Sequence, residues 1–178
     1  NQLREDHVES LVNVIEQGGD FAYSLRDFYD SNHQFICRDD FESLGNWKPK
    51  ENMPVRFIME DGQQIGCFIN TKTKNHIDTN CYAIPREIAQ KTAYAWYTPF
   101  LGDQKFFSAL NQSELKGQTS GKYTVKYTVD FDKMIGVHNL FPQLTLSDEM
   151  INLISSNILK GLSQQNIEYY GGRPWAKE

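Results

Sequence analysis

Long apolar runs are missing from this chain. No stretch approaches the ~18 residues needed to span a bilayer, and no secretory signal opens it. Excess basic charge is missing too. A net charge of −5 and a pI near 5.4 argue against the basic stripe by which duplex binders displace counterions, so no nucleic-acid partner is expected. The glycines form no phosphate cradle, because Gly18-Gly19 and Gly171-Gly172 match neither a P-loop nor a dinucleotide fingerprint. His7, His33, His76 and His138 share no metal-binding spacing. The pairs His33/Cys37 and His76/Cys81 fit no zinc pattern, so no metal and no cofactor are expected. Repeats and low-complexity tracts are absent as well.

What is present is a chain of 178 residues with 13% aromatic content, long enough for one domain with a sizeable core. It opens on Asn1 rather than Met and reads as a trimmed fragment or a processed product. Val8, Leu11, Ile15, Gly18, Ala22, Leu25 and Tyr29 recur at steps of three and four. That spacing predicts a long N-terminal amphipathic helix over 1–32, ended by Asp30-Ser31-Asn32 and able to pair with a twin in a homodimer. Asp39 to Leu44 reads as a short helix, with Asp39, Asp40 and Glu42 as acidic surface.

Val55 to Glu60 and Gln63 to Asn70 flank Asp61-Gly62, a hairpin signature that sets Arg56 opposite Cys67. A polar loop is expected over 71–81, and a short helix after Pro85. Strands are expected at Ala93–Thr98 and Gln104–Leu110 around a Pro99 corner. After a linker over 116–121, Tyr123, Val125, Tyr127, Val129 and Phe131 alternate with polar residues in a further strand. Ser147 is a good N-cap for a final helix bearing Ile151, Ile154, Ile158 and Leu162, with Gly161 as its stop. Residues 171–178 read as a linker. The expected fold is α+β: a long N-terminal helix, a central mostly antiparallel sheet and a C-terminal helix.

Catalytic signatures are lacking. A cysteine nucleophile needs a thiolate-favouring neighbour and a base in reach, which nothing compels here. Adjacent acids do not make a carboxylate pair facing across a cleft. No catalytic residue is assigned. The chemistry that remains is three cysteines, Cys37, Cys67 and Cys81. An odd count leaves one sulfur over. A Cys37–Cys67 bond would close a loop of about 30 residues, worth roughly 3–4 kcal/mol before strain. A Cys67–Cys81 bond competes with it, and all three can stay reduced.

A helix leading to Cys37, then Asp40-Phe41 and Leu44, then a strand, a turn and Cys67 resembles a known sensor family. It is the periplasmic Cys-Ser-Ser-motif domain that precedes bacterial EAL-type cyclic-di-GMP phosphodiesterases. The likeness covers residues 1–70, with an echo over 123–136, and the family triplet falls at Cys67-Phe68-Ile69. The resemblance implies a redox-sensitive Cys37–Cys67 disulfide; Cys81, the alternative partner read from the residues, has no counterpart in the family pattern. It also implies a periplasmic or extracellular location and a non-catalytic domain. Its partners would be its own transmembrane helices and a cytoplasmic output domain. Two other readings fit: a pilin-like subunit lacking its hydrophobic spine, or a small secreted binding protein with Tyr94 to Phe107 lining a pocket.

Overall fold

The computed structural model describes residues 1–47, 53–58, 62, 64–69, 75–97, 101–140 and 145–177; for 53–58, 64–65, 67–69, 132–133 and 138 it describes the backbone alone. The Asp61-Gly62 turn, the loop at 71–74 and the Pro99 corner fall wholly or partly outside these residues, as do the side chains of Cys67 and His138.

The chain begins with a short strand β1 (Gln2–Leu3) and helix α1 (His7–Glu16). Gly18, at φ +98°, turns the backbone where a side chain would be strained. Strand β2 (Phe21–Tyr29) follows. The long N-terminal helix is therefore corrected to ten residues. Ala22, Leu25 and Tyr29, counted above as one helical seam, belong to a strand in which every residue from Phe21 to Phe28 is buried. A strand covered on both faces has no alternation to reveal it, and its steps of three and four are coincidental. No helical seam for a twin exists beyond Glu16; α1 lays Leu11 and Val14 on Ala22 instead.

Strand β3 (Phe35–Arg38) runs antiparallel to β2, pairing Cys37 with Phe28. The hairpin β4 (Met53–Ile58) and β5 (Gln64–Ile69) forms a separate two-stranded sheet. Its register sets Val55 opposite Cys67 and Arg56 opposite Gly66, one residue off the expected pairing. A 3-10 turn at Thr79–Cys81 leads to β6 (Tyr82–Ala83), which pairs with the first half of β2. Pro85 caps α2 (Arg86–Thr92). The strands expected over Ala93–Leu110 are instead a 3-10 turn, Ala93–Trp96, and α3 (Gly102–Gln112). Phe106, Phe107 and Leu110 sit at i, i+1 and i+4, a helical face buried against Phe21 and Val125.

Strand β7 (Gly117–Thr128) absorbs the predicted linker and stops before Phe131, which opens α4 (Phe131–Met134). After α5 (Val137–Leu140), the last helix α6 runs Asp148–Tyr170. Ser147 caps it as expected, its Oγ accepting from the Met150 amide at 3.3 Å. Gly161 does not stop it; the helix continues to Gly171, which takes the left-handed conformation at φ +69°.

The main sheet has the order β1–β7–β2–β3, with β6 beside β3 on the same edge of β2. β7 lies parallel to β2 and the other pairs are antiparallel. The sheet is mixed, so the expectation of a mostly antiparallel one is overturned by its central pair. The fold remains α+β. The segment read as a terminal linker is packed too: Trp175 is 0% exposed, and the Lys177 amide donates to the Gly121 carbonyl at 3.0 Å.

Candidate functional site

Two buried polar assemblies lie in the same part of the fold as a cleft that Cys37 borders. The first is built on Arg26, in the middle of β2. A guanidinium 2% exposed must keep partners for its donors, because burying an unpaired charge costs several kcal/mol. Its Nε donates to Asp39 at 2.6 Å, Nη1 to Asp78 at 2.7 Å, and Nη2 to Glu42. The ring of Tyr127 lies beneath it, 4.2 Å from Cζ to centroid. Burial pushes Glu42 above the ordinary carboxylate range against the pull of Arg26, and neighbouring Asp39 and Asp78 add to the rise. The expected helix at Asp39–Leu44 is a turn. The Asp39 carboxylate accepts the amides of Phe41, Glu42 and Ser43 at 3.3, 2.8 and 3.1 Å. Asp39 and Asp40, expected on the surface, are each 1% exposed.

The second assembly is centred on Asp40. Tyr123 Oη and Trp175 Nε1, the latter at 2.8 Å, donate to its Oδ1, and Arg173 Nε donates to Oδ2 at 3.0 Å. Asn166 Nδ2 donates to the Asp40 carbonyl at 2.7 Å. Asp40 thus ties β7 and the tail through its carboxylate and α6 through its backbone carbonyl. Burial, reinforced by Asp40, raises the Tyr123 phenol well above its usual value. Beside this, Asp27 is bridged by Arg4 at 2.7 Å, and burial still raises its carboxyl.

Between β3 and α6 lies a cleft of 380 Å³ bordered by Ile36, Cys37, Arg38, Lys160, Ser163 and Arg173, among others. Ser163 Oγ donates to the Arg38 carbonyl at 3.0 Å, pinning α6 to β3. Cys37 is half-buried and carries a free thiol, pushed up to about 12 mainly by burial, against a hydrogen bond with Ser163. Cys81 is also free, fully buried behind Arg26, and likewise raised to about 12 by burial. Both sulfurs are protonated at neutral pH and are weak nucleophiles in that state. The structure does not bring Cys37 and Cys81 into a common site. The Cys67 side chain lies outside the described residues.

Among the histidines, His7 is buried with Nδ1 2.8 Å from Thr124 Oγ1 and 3.5 Å from Ser24 Oγ. Burial lowers its pKa. His76 is buried where the chain bridges to Gly45, and His33 is exposed. Among the described residues no group of three His, Cys, Asp or Glu side chains could hold a metal ion. Sequence reasoning missed both carboxylate assemblies. Their signal was the Arg26-Asp27 pair inside an otherwise uncharged strand: a charge in a buried run demands a counter-charge, which Asp39, Glu42 and Asp78 supply to Arg26.

Fold and site together define an α+β domain with a mixed sheet, two networks of buried charges and a basic cleft. No family model matches the chain, and no solved structure matches it. It is 59% identical over 132 residues to an uncharacterized protein of Haemophilus influenzae, a match covering 74% of this chain and 89% of that protein. The chain belongs to the same family as that protein.

Proposed function

We propose that this chain is a non-catalytic sensory domain whose input site is the cleft between β3 and α6. Three features of the chemistry support a binding role. The Arg26 and Asp40 assemblies commit their carboxylates as acceptors. The described thiols are held protonated. His7 is buried and packed on the hydroxyls of Thr124 and Ser24. The observation that carries the reading is Cys37 itself, half-buried at the seam where Ser163 pins α6 to β3. The hairpin strand β4 packs on the same helix. A change at Cys37 is therefore felt by α6, and a Cys37–Cys67 bond would couple the hairpin to the β3 side of that helix.

The redox arm of the proposal places the domain outside the cytoplasm, where such a bond persists, with membrane helices and an output domain as its partners. The pilin-like alternative loses its argument, since the expected spine-derived helix ends at Glu16. The test is peptide mapping of protein purified without reductant, joined to hydrogen exchange of α6. Trypsin leaves the three cysteines on separate peptides ending at Arg38, Lys72 and Arg86. A Cys37–Cys67 link whose reduction alters exchange along α6 supports the redox arm. A free Cys37 after air oxidation, or a link with no effect on α6, sinks it.

A further inference from the structure

We infer that the β3–α6 cleft binds a small amphipathic carboxylate, its head on the basic rim and its tail on an apolar floor. The inference rests on the reading of this cleft as the input site and names the class of ligand it takes. Three observations converge on it. The first is volume: 380 Å³ lies in the range of small-molecule sites.

The second is charge. Arg38, Lys160 and Arg173 border the cleft and Asp40 is the sole carboxylate on it, a positive surface on a chain whose net charge is −5. The Asp40 carboxylate is 2% exposed and already accepts from Tyr123, Trp175 and Arg173, so it stands behind the rim rather than on it. The Arg38 guanidinium is oriented by the Tyr123 ring, 4.6 Å away. Arg173 is held by its Nε on Asp40 at 3.0 Å, and stacking or pairing of this kind fixes a guanidinium plane. Gln164 directs its amide to Glu168 at 2.9 Å, which keeps that acid turned along α6.

The third is the floor. Ile36 and Ile167 line it with the exposed ring of Phe35. A bare inorganic anion has no use for such a surface, whereas a hydrocarbon tail gains by covering it. A cationic ligand of the same shape would meet three like charges.

Titration calorimetry tests the inference with three probes: hexanoate, hexylamine and inorganic phosphate. Hexanoate is expected to saturate one site, at least tenfold tighter than phosphate, with no heat from hexylamine. Lys160→Glu, an exposed change on α6, should weaken hexanoate at least tenfold while melting as the parent does. Absence of saturable hexanoate binding, equal binding of hexylamine or phosphate, or an unchanged Lys160→Glu variant would overturn the inference. The peptide map of the unreduced protein separates the two readings. Hexanoate binding without a Cys37–Cys67 link leaves the carboxylate site standing and removes the redox arm, and a link without hexanoate binding does the reverse.

Discussion

Arg26 is held by three acids and one aromatic ring, and it stabilises the fold chiefly by not being left alone. Replacing it with Met strands three carboxylates in the interior, which should cost about 3–5 kcal/mol. Lys is a poor substitute, since a single ammonium cannot reach three acceptors in a fork. Denaturant titration of Arg26→Met at neutral pH should show that loss, and a parent-like midpoint would mean water already shares the site. His7 makes a second prediction, in pH rather than in kcal/mol. Burial holds its folded pKa below the unfolded value of 6.5. The unfolded chain therefore takes up the proton first, so this contribution is whole above that value and shrinks as pH falls through it. Asp6 pulls the other way and is itself paired to Lys122 at 3.0 Å. Urea midpoints at pH 7.5 and 5.5 should fall further for the parent than for His7→Gln. Equal falls would show that other groups set the acid limb.

At the scale of elements, the tail is a clamp. Trp175 fills a fully buried slot against Trp47 and Tyr170 and donates to Asp40. Trp175→Ala should cost about 3–5 kcal/mol, whereas a tail that merely links would lose nothing in a thermal melt. Gly117 opens β7 directly over Phe21: a Cβ there would sit 2.0 Å from the ring's Cζ. Gly117→Ala should thus destabilise by about 1–3 kcal/mol through displacement of that ring, and a neutral melt would show that Phe21 swings aside freely.

These elements also show what the sequence could disclose. Ser147, Pro85 and the β4–β5 pair were legible because caps, prolines and hairpins are local chemistry. β2 was not. A strand covered on both faces shows no period of two, and Phe21-to-Tyr29 mimicked a helix seam. Nor was α3, where Gln104 to Leu110 read as a strand but Phe106, Phe107 and Leu110 form a helical face against Val125. Cys37 was singled out by rarity, yet its neighbours Lys160, Ser163 and Arg173 come from over 120 positions away, a distance no local pattern bridges.

For the whole molecule, the parallel pair of β2 and β7 is the keel to which α1, α3 and α6 are fastened. Amides of these two strands should exchange only through global unfolding, matching the free energy from denaturant. Early exchange of β7 alone would mean it docks as an independent unit. The pair joins Phe21 to Gly117 and Tyr29 to Thr128, so the loop it closes must be ordered before the contact rewards it, which slows folding. During synthesis the order of emergence matters as well. β3 and β6 leave the ribosome soon after β2 and can occupy one of its edges, while the opposite edge waits for β7. Throughout that interval a mostly apolar strand offers an open row of backbone donors and acceptors, the usual template for mispairing between nascent chains. Yield in the cell should therefore depend on how fast translation covers the interval from β2 to β7 and on what shields the bare edge meanwhile.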